Sequence, residues 1–201
     1  LGQIEIVYRV KGGGTRALSQ LVEGAQLHVQ GPFGLGVEHL LAGKSTIALI
    51  GRGAGISPLN FVAYAASQKG IAVRAYLSAR YDALFTPFKD LWDTAEKIVA
   101  WTDTQRPGQL VTDALSADNA VHSVDAAFVV GSKRLTRAAL AEATRRGFPA
   151  YGFMESYMGC GFGHCKACAV PTHDGYILAC LDGPVIDLQE VSDEYWATVP
   201  N

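Results

Sequence analysis

The four cysteines of this 201-residue chain are confined to a short stretch near its C-terminus, and their spacing constrains the fold more than any other feature. The first three follow the pattern C-x4-C-x2-C, and the fourth comes twelve positions later: Cys160, Cys165, Cys168 and Cys180. A 2Fe-2S cluster can be held by four thiolates in this pattern. The stretch therefore predicts a 2Fe-2S cluster with these four cysteines as its metal ligands.

The residues around the cysteines favour the same interpretation. Three glycines alternate with them and would let the backbone lie close to a cluster: Gly159, Gly161 and Gly163. Residues 169–171 and 176–179 flank the pair Asp174-Gly175, which suits a tight hairpin turn. Such a hairpin would return Cys180 to the side of the first three cysteines.

Two other uses of the cysteines stay open at this point. A zinc site with four thiolates is also closed, although structural zinc loops usually pair two short knuckles, and only one C-x2-C occurs here. Two disulfide bridges would suit a secreted protein, but the chain does not start with a secretory apolar region.

Charge and hydropathy exclude several classes of partner. The chain has 17 basic and 19 acidic residues without a basic stripe, so a nucleic-acid partner is not expected. Its longest apolar runs, such as residues 45–50, are far shorter than the ~20 residues of a membrane helix. We therefore predict a cytoplasmic protein without a membrane partner.

Because the sequence begins at Leu1 and enters a strand-like pattern at once, we expect an upstream portion to be missing.

The N-terminal segment shows the alternation of half-buried strands. Residues 3–10 and 25–30 are predicted strands, and Thr15 is the predicted N-cap of a short helix between them. Because two strands and one helical turn do not make a stable domain, we interpret residues 1–42 as part of an antiparallel barrel.

From residue 45 onward, strands alternate with helices. Strands are predicted at 45–50, 71–78, 97–102, 126–130 and 150–154, and helices at 59–68, 109–115 and 133–146, the last ended by Gly147. This alternation predicts an α/β fold with a parallel sheet covered by helices on both faces.

The glycine-rich turn at 51–58 follows the first strand, where open sheets of this kind bind ligands, and it suits a pyrophosphate. Taken alone it also suits an ordinary tight turn, because Ile56 stands where a dinucleotide fingerprint has its third glycine.

Taken together, these motifs carry a family resemblance over nearly the whole chain. G-T at 14–15, G-P-F-G at 31–34, G-x-G-x-G-x-x-P at 51–58, the cysteine run, and A-C-L-D-G-P-V at 179–185 follow in order. The chain resembles the electron-transfer subunits of dihydroorotate dehydrogenases that work with a separate flavin-bearing catalytic subunit. These subunits belong to the ferredoxin reductase superfamily.

The resemblance implies three cofactors and three domains. It implies a partial FAD-binding barrel at 1–42, an NAD(P)-binding α/β domain at 43–155 and a 2Fe-2S domain at 156–201. FAD would be bound by Val7, Tyr8, Arg9, Gly14 and Thr15. The nicotinamide cofactor would dock over Gly53, Ala54 and Gly55.

The chain departs from the family pattern at two places. The Arg-Pro-x-Ser type segment that braces the flavin ring would lie upstream of Leu1, so we expect weak FAD binding by the sequence as given. Relatives commonly show Cys-Gly-Pro beside the nicotinamide, whereas this chain has Val130-Gly131-Ser132. Two further residues have open roles: His164 in the cluster loop, and Arg80, which could meet a cofactor ribose or phosphate or lie free at the surface.

The resulting functional prediction is an oxidoreductase subunit without a catalytic acid or base of its own. Electrons would pass between NAD and the flavin of a partner subunit through FAD and the cluster, as the resemblance implies for dihydroorotate oxidation in pyrimidine biosynthesis. The alternatives are the electron-transfer subunit of another oxidoreductase, of hydrogenase, sulfide reductase or ferredoxin reductase type, and a metal-stabilised binding module without catalysis.

Overall fold

The computed structural model describes residues 4–85, 87–118, 124–154 and 156–198. The chain divides into two compact units, residues 1–32 and residues 33–201. Each unit is described separately below.

The N-terminal unit contains one helix, α1 (Gly13–Ser19), among its described residues. The predicted strands at 4–10 and 25–30 are wrong there, since neither segment forms a strand, and Gln3 lies outside the described residues. Alternation produces a strand only where a neighbouring strand accepts its hydrogen bonds and buries one face. Here the alternating apolar side chains are exposed: Ile4, Ile6, Val10, Leu27 and Val29.

Thr15 does not cap α1 from outside, as the sequence had suggested, but lies in its first turn. Its Oγ1 accepts the N–H groups of Lys11 and Gly12 at 2.9 and 3.1 Å. The hydroxyl thereby ties the preceding chain to the start of the helix.

A six-stranded sheet forms the centre of the second unit. Its strands are β1 (Thr46–Arg52), β2 (Ala72–Ala79), β3 (Lys97–Thr102), β4 (Ala126–Val130), β5 (Ala150–Phe153) and, later in the chain, β8 (Val185–Asp187). The order is β3-β2-β1-β4-β5-β8, and the first five strands are parallel. The predicted α/β fold with a parallel sheet is therefore confirmed. Sequence reasoning missed β8, which pairs antiparallel with β5.

Helices cover both faces of this sheet: α2 (Ser57–Ser67), α3 (Lys89–Thr94), α4 (Thr112–Ala117) and α5 (Lys133–Arg146). A methyl group at Gly51 would lie 2.7 Å from Leu59 of α2, and one at Gly131 would lie 2.7 Å from Leu135 of α5. Because Gly51 pairs with Val130, Gly131 points to the opposite face, so α2 and α5 lie on opposite sides. The sequence placed α4 three residues early and left α3 unassigned.

Strand burial explains why the α/β region was predictable. All five residues of β4 and the centre of β1 are buried, as expected for parallel strands covered on both faces. Helix α5 ends at Gly147, whose φ of 81° is the left-handed conformation that favours glycine.

A buried polar network joins α4 to the sheet. The hydroxyl of Tyr76 and the Nζ of Lys97 both donate to Asp118 Oδ2, at 2.6 and 2.7 Å. Burial and the hydrogen bond to Asp118 raise the pKa of Tyr76. Arg146, at the end of α5, donates to the carbonyl oxygens of Leu115, at 3.2 Å, and Ser116, at 2.7 Å. The network joins the end of α4 to β2 and β3, and Arg146 links the end of α5 to α4.

After β5 the chain forms a small cysteine-containing segment and returns to the sheet. Strands β6 (Ala169–Thr172) and β7 (Gly175–Leu178) form the predicted hairpin, and helix α6 (Asp193–Thr198) follows β8. The Nζ of Lys133, the first residue of α5, donates to the carbonyl oxygens of Tyr195 and Trp196 at 2.8 and 3.2 Å. The cysteine segment is thus anchored to the α/β unit through β8 and through α6.

Candidate cluster and dinucleotide sites

The four predicted cysteines form two pairs in the structure, and the β6–β7 hairpin forms one of these pairs. Cys168 and Cys180 are both buried, with their Sγ atoms 3.2 Å apart. Cys160 and Cys165 form two reciprocal hydrogen bonds: the backbone N–H of each donates to the Sγ of the other, with N–Sγ distances of 3.4 Å. All four are free thiols. Thiolates suit a two-iron cluster, and two pairs of them provide one pair for each iron.

Backbone amides surround Cys160 and Cys165, the outer pair of cysteines. The N–H of Cys165, followed by that of Phe162, lowers the pKa of Cys160 to about 6. The neighbouring thiol of Cys168 raises the pKa of Cys180, and burial raises it further. Cys160 therefore lies in a setting that stabilises a thiolate, which is the form that binds metal. Hydrogen bonds of this kind also tune iron–sulfur clusters.

Glycines allow the loop to fold this closely, as the sequence predicted. Gly161 and Gly163 both have φ near 81°, and a methyl group at Gly159 would lie 2.8 Å from Cys165 Sγ. A methyl group at Gly161 would overlap the ring of Phe33. Phe33 belongs to the G-P-F-G motif, so the structure explains why that motif accompanies the cysteine run.

Cys180 lies in a tight turn immediately after β7. The Asp182 carboxylate accepts the N–H of Leu178 at 2.8 Å, and the N–H of Asp182 donates to the Leu178 carbonyl at 2.8 Å. Gly183 accepts the N–H of Leu35 at 2.7 Å. The Cys-x-Asp-Gly motif thereby fixes the direction of the fourth cysteine.

The two cysteine pairs differ in exposure. Cys168 and Cys180 are each 2% exposed, whereas Cys165 is exposed and Cys160 is half-buried. Large apolar side chains stand exposed on the same segment: Tyr157, Met158, Phe162, Tyr176 and Leu181. The ring of Phe162 stacks at 6.5 Å on His164. The outer pair therefore faces solvent within an apolar surface.

The second predicted site, the glycine turn, lies at the carboxyl end of β1. Residues Gly53–Ile56 form a 3₁₀ turn that leads directly into α2. A methyl group at Gly55 would lie 2.9 Å from Val130 Cγ1, and Gly53 has φ 59°. Since β1 lies between β2 and β4, this turn occupies the point where the strand order reverses, where sheets of this type bind dinucleotides. Gly53, Ala54 and Gly55 therefore lie where the predicted pyrophosphate contact requires them, and the contact itself stays a prediction.

The turn that follows β4 has structural roles in this chain. Gly131 allows α5 to approach, as described above, and Ser132 caps α5 by accepting the N–H of Leu135 at 3.4 Å.

The structure adds a charged group that sequence reasoning missed. The Arg52 guanidinium donates to Asp103 Oδ2 at 2.7 Å and to Ser78 Oγ at 3.3 Å. Arg52 is the last residue of β1, Ser78 is the next-to-last residue of β2, and Asp103 follows β3 directly, so the three are far apart in sequence. Their only signal in the sequence was a polar residue at each strand end.

The predicted flavin residues lie in the N-terminal unit. Gly14 and Thr15 are in the first turn of α1, where backbone amides lack an intrahelical acceptor and can meet a pyrophosphate. Val7, Tyr8 and Arg9 precede α1 in a segment without strand structure. The flavin contacts of all five residues remain a prediction.

Among the described residues, no three His, Cys, Asp or Glu side chains are grouped around one point as ligands of a single ion. Within the same residues, no helix has the length and apolar character needed to cross a bilayer.

Comparison with known proteins decides the family. The sequence model of the "Iron-sulfur cluster binding domain of dihydroorotate dehydrogenase B" matches residues 155–192. The "Dihydroorotate dehydrogenase B (NAD(+)), electron transfer subunit" of Bacillus pumilus is 32% identical over 93% of this chain and 73% of its own length. This chain belongs to the family of dihydroorotate dehydrogenase B electron transfer subunits. The subunit of the same name from Geobacillus thermodenitrificans is 34% identical over 94% of this chain and 74% of its own.

Two solved structures resemble this chain in fold. A chain from a study of the NADH-dependent reduced ferredoxin-NADP oxidoreductase superposes with a TM-score of 0.76 at 27% identity. It covers 94% of this chain and 68% of the other. Part of an intact type IV self-sufficient cytochrome P450 monooxygenase, 27% of that chain, shares the fold over 83% of this chain at 17% identity, with a TM-score of 0.53. The predicted family and its iron–sulfur domain are confirmed.

Proposed function

We propose that this protein passes electrons between a nicotinamide dinucleotide and the flavin of a catalytic partner subunit, in the oxidation of dihydroorotate for pyrimidine biosynthesis. The pairing of Cys160 with Cys165 and of Cys168 with Cys180 is the observation that carries the proposal. Iron–sulfur clusters and flavins supply the electron chemistry in such proteins. The chain itself binds, orients and shields these groups.

Each cofactor has a proposed location. Cys160, Cys165, Cys168 and Cys180 ligate the 2Fe-2S cluster, within a domain at 156–201. Gly53, Ala54 and Gly55 bind the pyrophosphate of NAD(P), within a domain at 43–155. The following residues bind FAD, within a partial barrel at 1–42: Val7, Tyr8, Arg9, Gly14 and Thr15. Thiolate ligands suit a reducing compartment, which supports a cytoplasmic location.

The exposed apolar surface of the cysteine segment is the proposed contact with the catalytic subunit. The outer cysteines lie beside Phe162, which is 59% exposed. An electron leaving this side of the segment has the shortest route to another protein, and exposed aromatic residues commonly anchor interfaces. We therefore expect Phe162→Asp to weaken co-purification of the catalytic subunit while the visible spectrum of the cluster stays unchanged. Tyr81→Asp is the matched control, since Tyr81 is 53% exposed outside this segment.

Anaerobic mixing tests the electron-transfer role. The protein is purified with its cluster, supplied with FAD and mixed with a reduced nicotinamide dinucleotide while the visible absorbance of the cluster is followed. We expect bleaching that requires FAD, and restoration of the absorbance when the oxidised catalytic subunit is added. A cluster that dithionite bleaches but the dinucleotide with FAD does not would refute the proposed function.

A further inference from the structure

Phe33 covers the cysteine loop, residues 159–168, at one point. A methyl group built on Gly161 would lie 2.9 Å from Cδ2 of the Phe33 ring, so the ring lies directly against this glycine. Gly161 is buried, although the next residue, Phe162, is 59% exposed and Cys165 is also exposed. The ring therefore lies on the buried point of a loop whose other side faces solvent.

The two residues after Phe33 are fixed to the turn that follows Cys180. The N–H of Leu35 donates to the carbonyl oxygen of Gly183 at 2.7 Å. A methyl group on Gly34 would lie 2.9 Å from the carbonyl carbon of the same glycine, so the two backbones are in close contact. Gly183 is buried and lies three residues after Cys180. Phe33 is thus held in place by its own neighbours in the chain.

The position of Gly161 decides where the amides of the loop point. The N–H of Cys165 donates to Cys160 Sγ at 3.4 Å, and after it the N–H of Phe162 also lowers the pKa of Cys160. That second N–H belongs to the peptide that joins Gly161 to Phe162, and Gly161 has a φ of 81°. By covering Gly161, Phe33 holds this peptide with its N–H toward the sulfur.

Amides at a ligand sulfur affect how readily the site accepts an electron. Reduction by one electron adds one negative charge to the cluster and its four thiolates; the electron comes from FAD or the partner's flavin in the proposed function. N–H groups that point at a ligand sulfur stabilise that charge and raise the reduction potential. Water at the sulfur acts in the same direction. Losing the amides therefore lowers the potential, whereas admitting water raises it, and the sign of a change distinguishes the two.

We propose that Phe33 is a positioning residue that holds the amides of the cysteine loop against Cys160 Sγ and thereby raises the reduction potential of the cluster. Gly34 and Leu35 act through Phe33, because they fix it to the turn after Cys180. This inference rests on the 2Fe-2S cluster of the proposed function and assigns a role in tuning it to a segment more than 120 residues away in sequence.

Redox titration of three substitutions at Phe33 tests the inference. Phe33→Leu, Phe33→Val and Phe33→Ala retain progressively less of the contact with Gly161. Each protein is purified anaerobically, its iron and acid-labile sulfide are measured per chain, and its midpoint potential is measured by electron paramagnetic resonance during titration with dithionite. We expect Phe33→Leu to behave as the wild type. Phe33→Ala should shift the equilibrium about tenfold toward the oxidised form, as for the loss of one hydrogen bond to a charged group. For a one-electron couple this lowers the potential by about 59 mV.

Two controls separate this role from a general loss of stability. Phe61→Ala removes an equal ring that is 53% exposed on α2, and it should leave the potential unchanged. Hydrogen–deuterium exchange, read by mass spectrometry, should be faster in Phe33→Ala for a peptide that spans 159–168 and unchanged for strand β1. A fold that is merely less stable would exchange faster in both segments.

The outcomes separate this inference from the proposed function. An unchanged or higher potential in the Phe33→Val and Phe33→Ala proteins would overturn the positioning role while leaving the cluster and the proposed function in place. Loss of the cluster in both would also overturn it, since the ring would then be required for assembly. If only Phe33→Ala loses the cluster, the potential of Phe33→Val decides. Wild-type protein without iron and sulfide would overturn both the inference and the proposed function.

Discussion

Replacing Gly161 with alanine tests whether the cluster loop depends on its packing against Phe33. Gly161 has φ 81°, and a methyl group built there would lie 2.5 and 2.9 Å from Cζ and Cδ2 of the Phe33 ring. Gly147 provides a matched control, because it has the same φ of 81° and no atom within 4 Å of an added methyl group.

The expected cost has two parts. Left-handed backbone costs a residue with a Cβ about 1–2 kcal/mol. Overpacking against a ring typically adds about 1–3 kcal/mol. Gly161→Ala should therefore lower the free energy of unfolding by about 2–5 kcal/mol, compared with about 1–2 kcal/mol for Gly147→Ala.

Anaerobic urea titrations of the cluster-loaded proteins provide the assay, with far-ultraviolet circular dichroism and visible absorbance followed on the same samples. Adding Phe33→Ala to Gly161→Ala should restore the free energy of unfolding that is lost by overpacking against the ring. In a double-mutant cycle this appears as a coupling free energy of about 1–3 kcal/mol. Equal losses for Gly161→Ala and Gly147→Ala, together with zero coupling to Phe33, would show that the ring does not support the loop.

Three further predictions concern single residues. Lys133→Met should free α6 from α5 and cost about 1–3 kcal/mol, because two carbonyl oxygens lose a charged donor, and limited proteolysis should then cleave the C-terminus faster. Lys166 has φ 56°, so Lys166→Gly should stabilise the loop by about 0.5–1 kcal/mol, measured as a higher urea midpoint. In cluster-free protein, amides lower the pKa of Cys160 to about 6, so its alkylation by iodoacetamide should rise as the pH passes about 6, and a rise only above pH 8 would contradict this.

Much of the α/β region was predictable because its burial is local and regular. Strand β4 and helix α5 have the predicted bounds, since a continuous apolar run and a capped amphipathic helix each carry their own signal. The N-terminal strands failed because alternation says nothing about whether a partner strand is present. Strand β8 has three residues and depends on β5, so its own sequence carries almost no signal.

The candidate site was also only partly predictable from the sequence. The cysteine spacing and the Asp174-Gly175 turn sufficed to predict that Cys180 returns to Cys168, because both are local patterns. Arg52 and Asp103 are 51 residues apart, and they meet only because β1, β2 and β3 lie side by side in the sheet. Such a contact follows from topology, and a single sequence does not reveal it.

The cluster itself is the most direct test of the account. Iron and acid-labile sulfide should be measured per chain in anaerobically purified protein, with electron paramagnetic resonance after reduction by dithionite. We predict about two iron and two sulfide per chain and one paramagnetic centre, all lost or strongly reduced in Cys168→Ser and Cys180→Ser proteins. One zinc per chain without sulfide, or an unchanged cluster in both variants, would contradict the assignment of the cysteine pairs to a 2Fe-2S cluster.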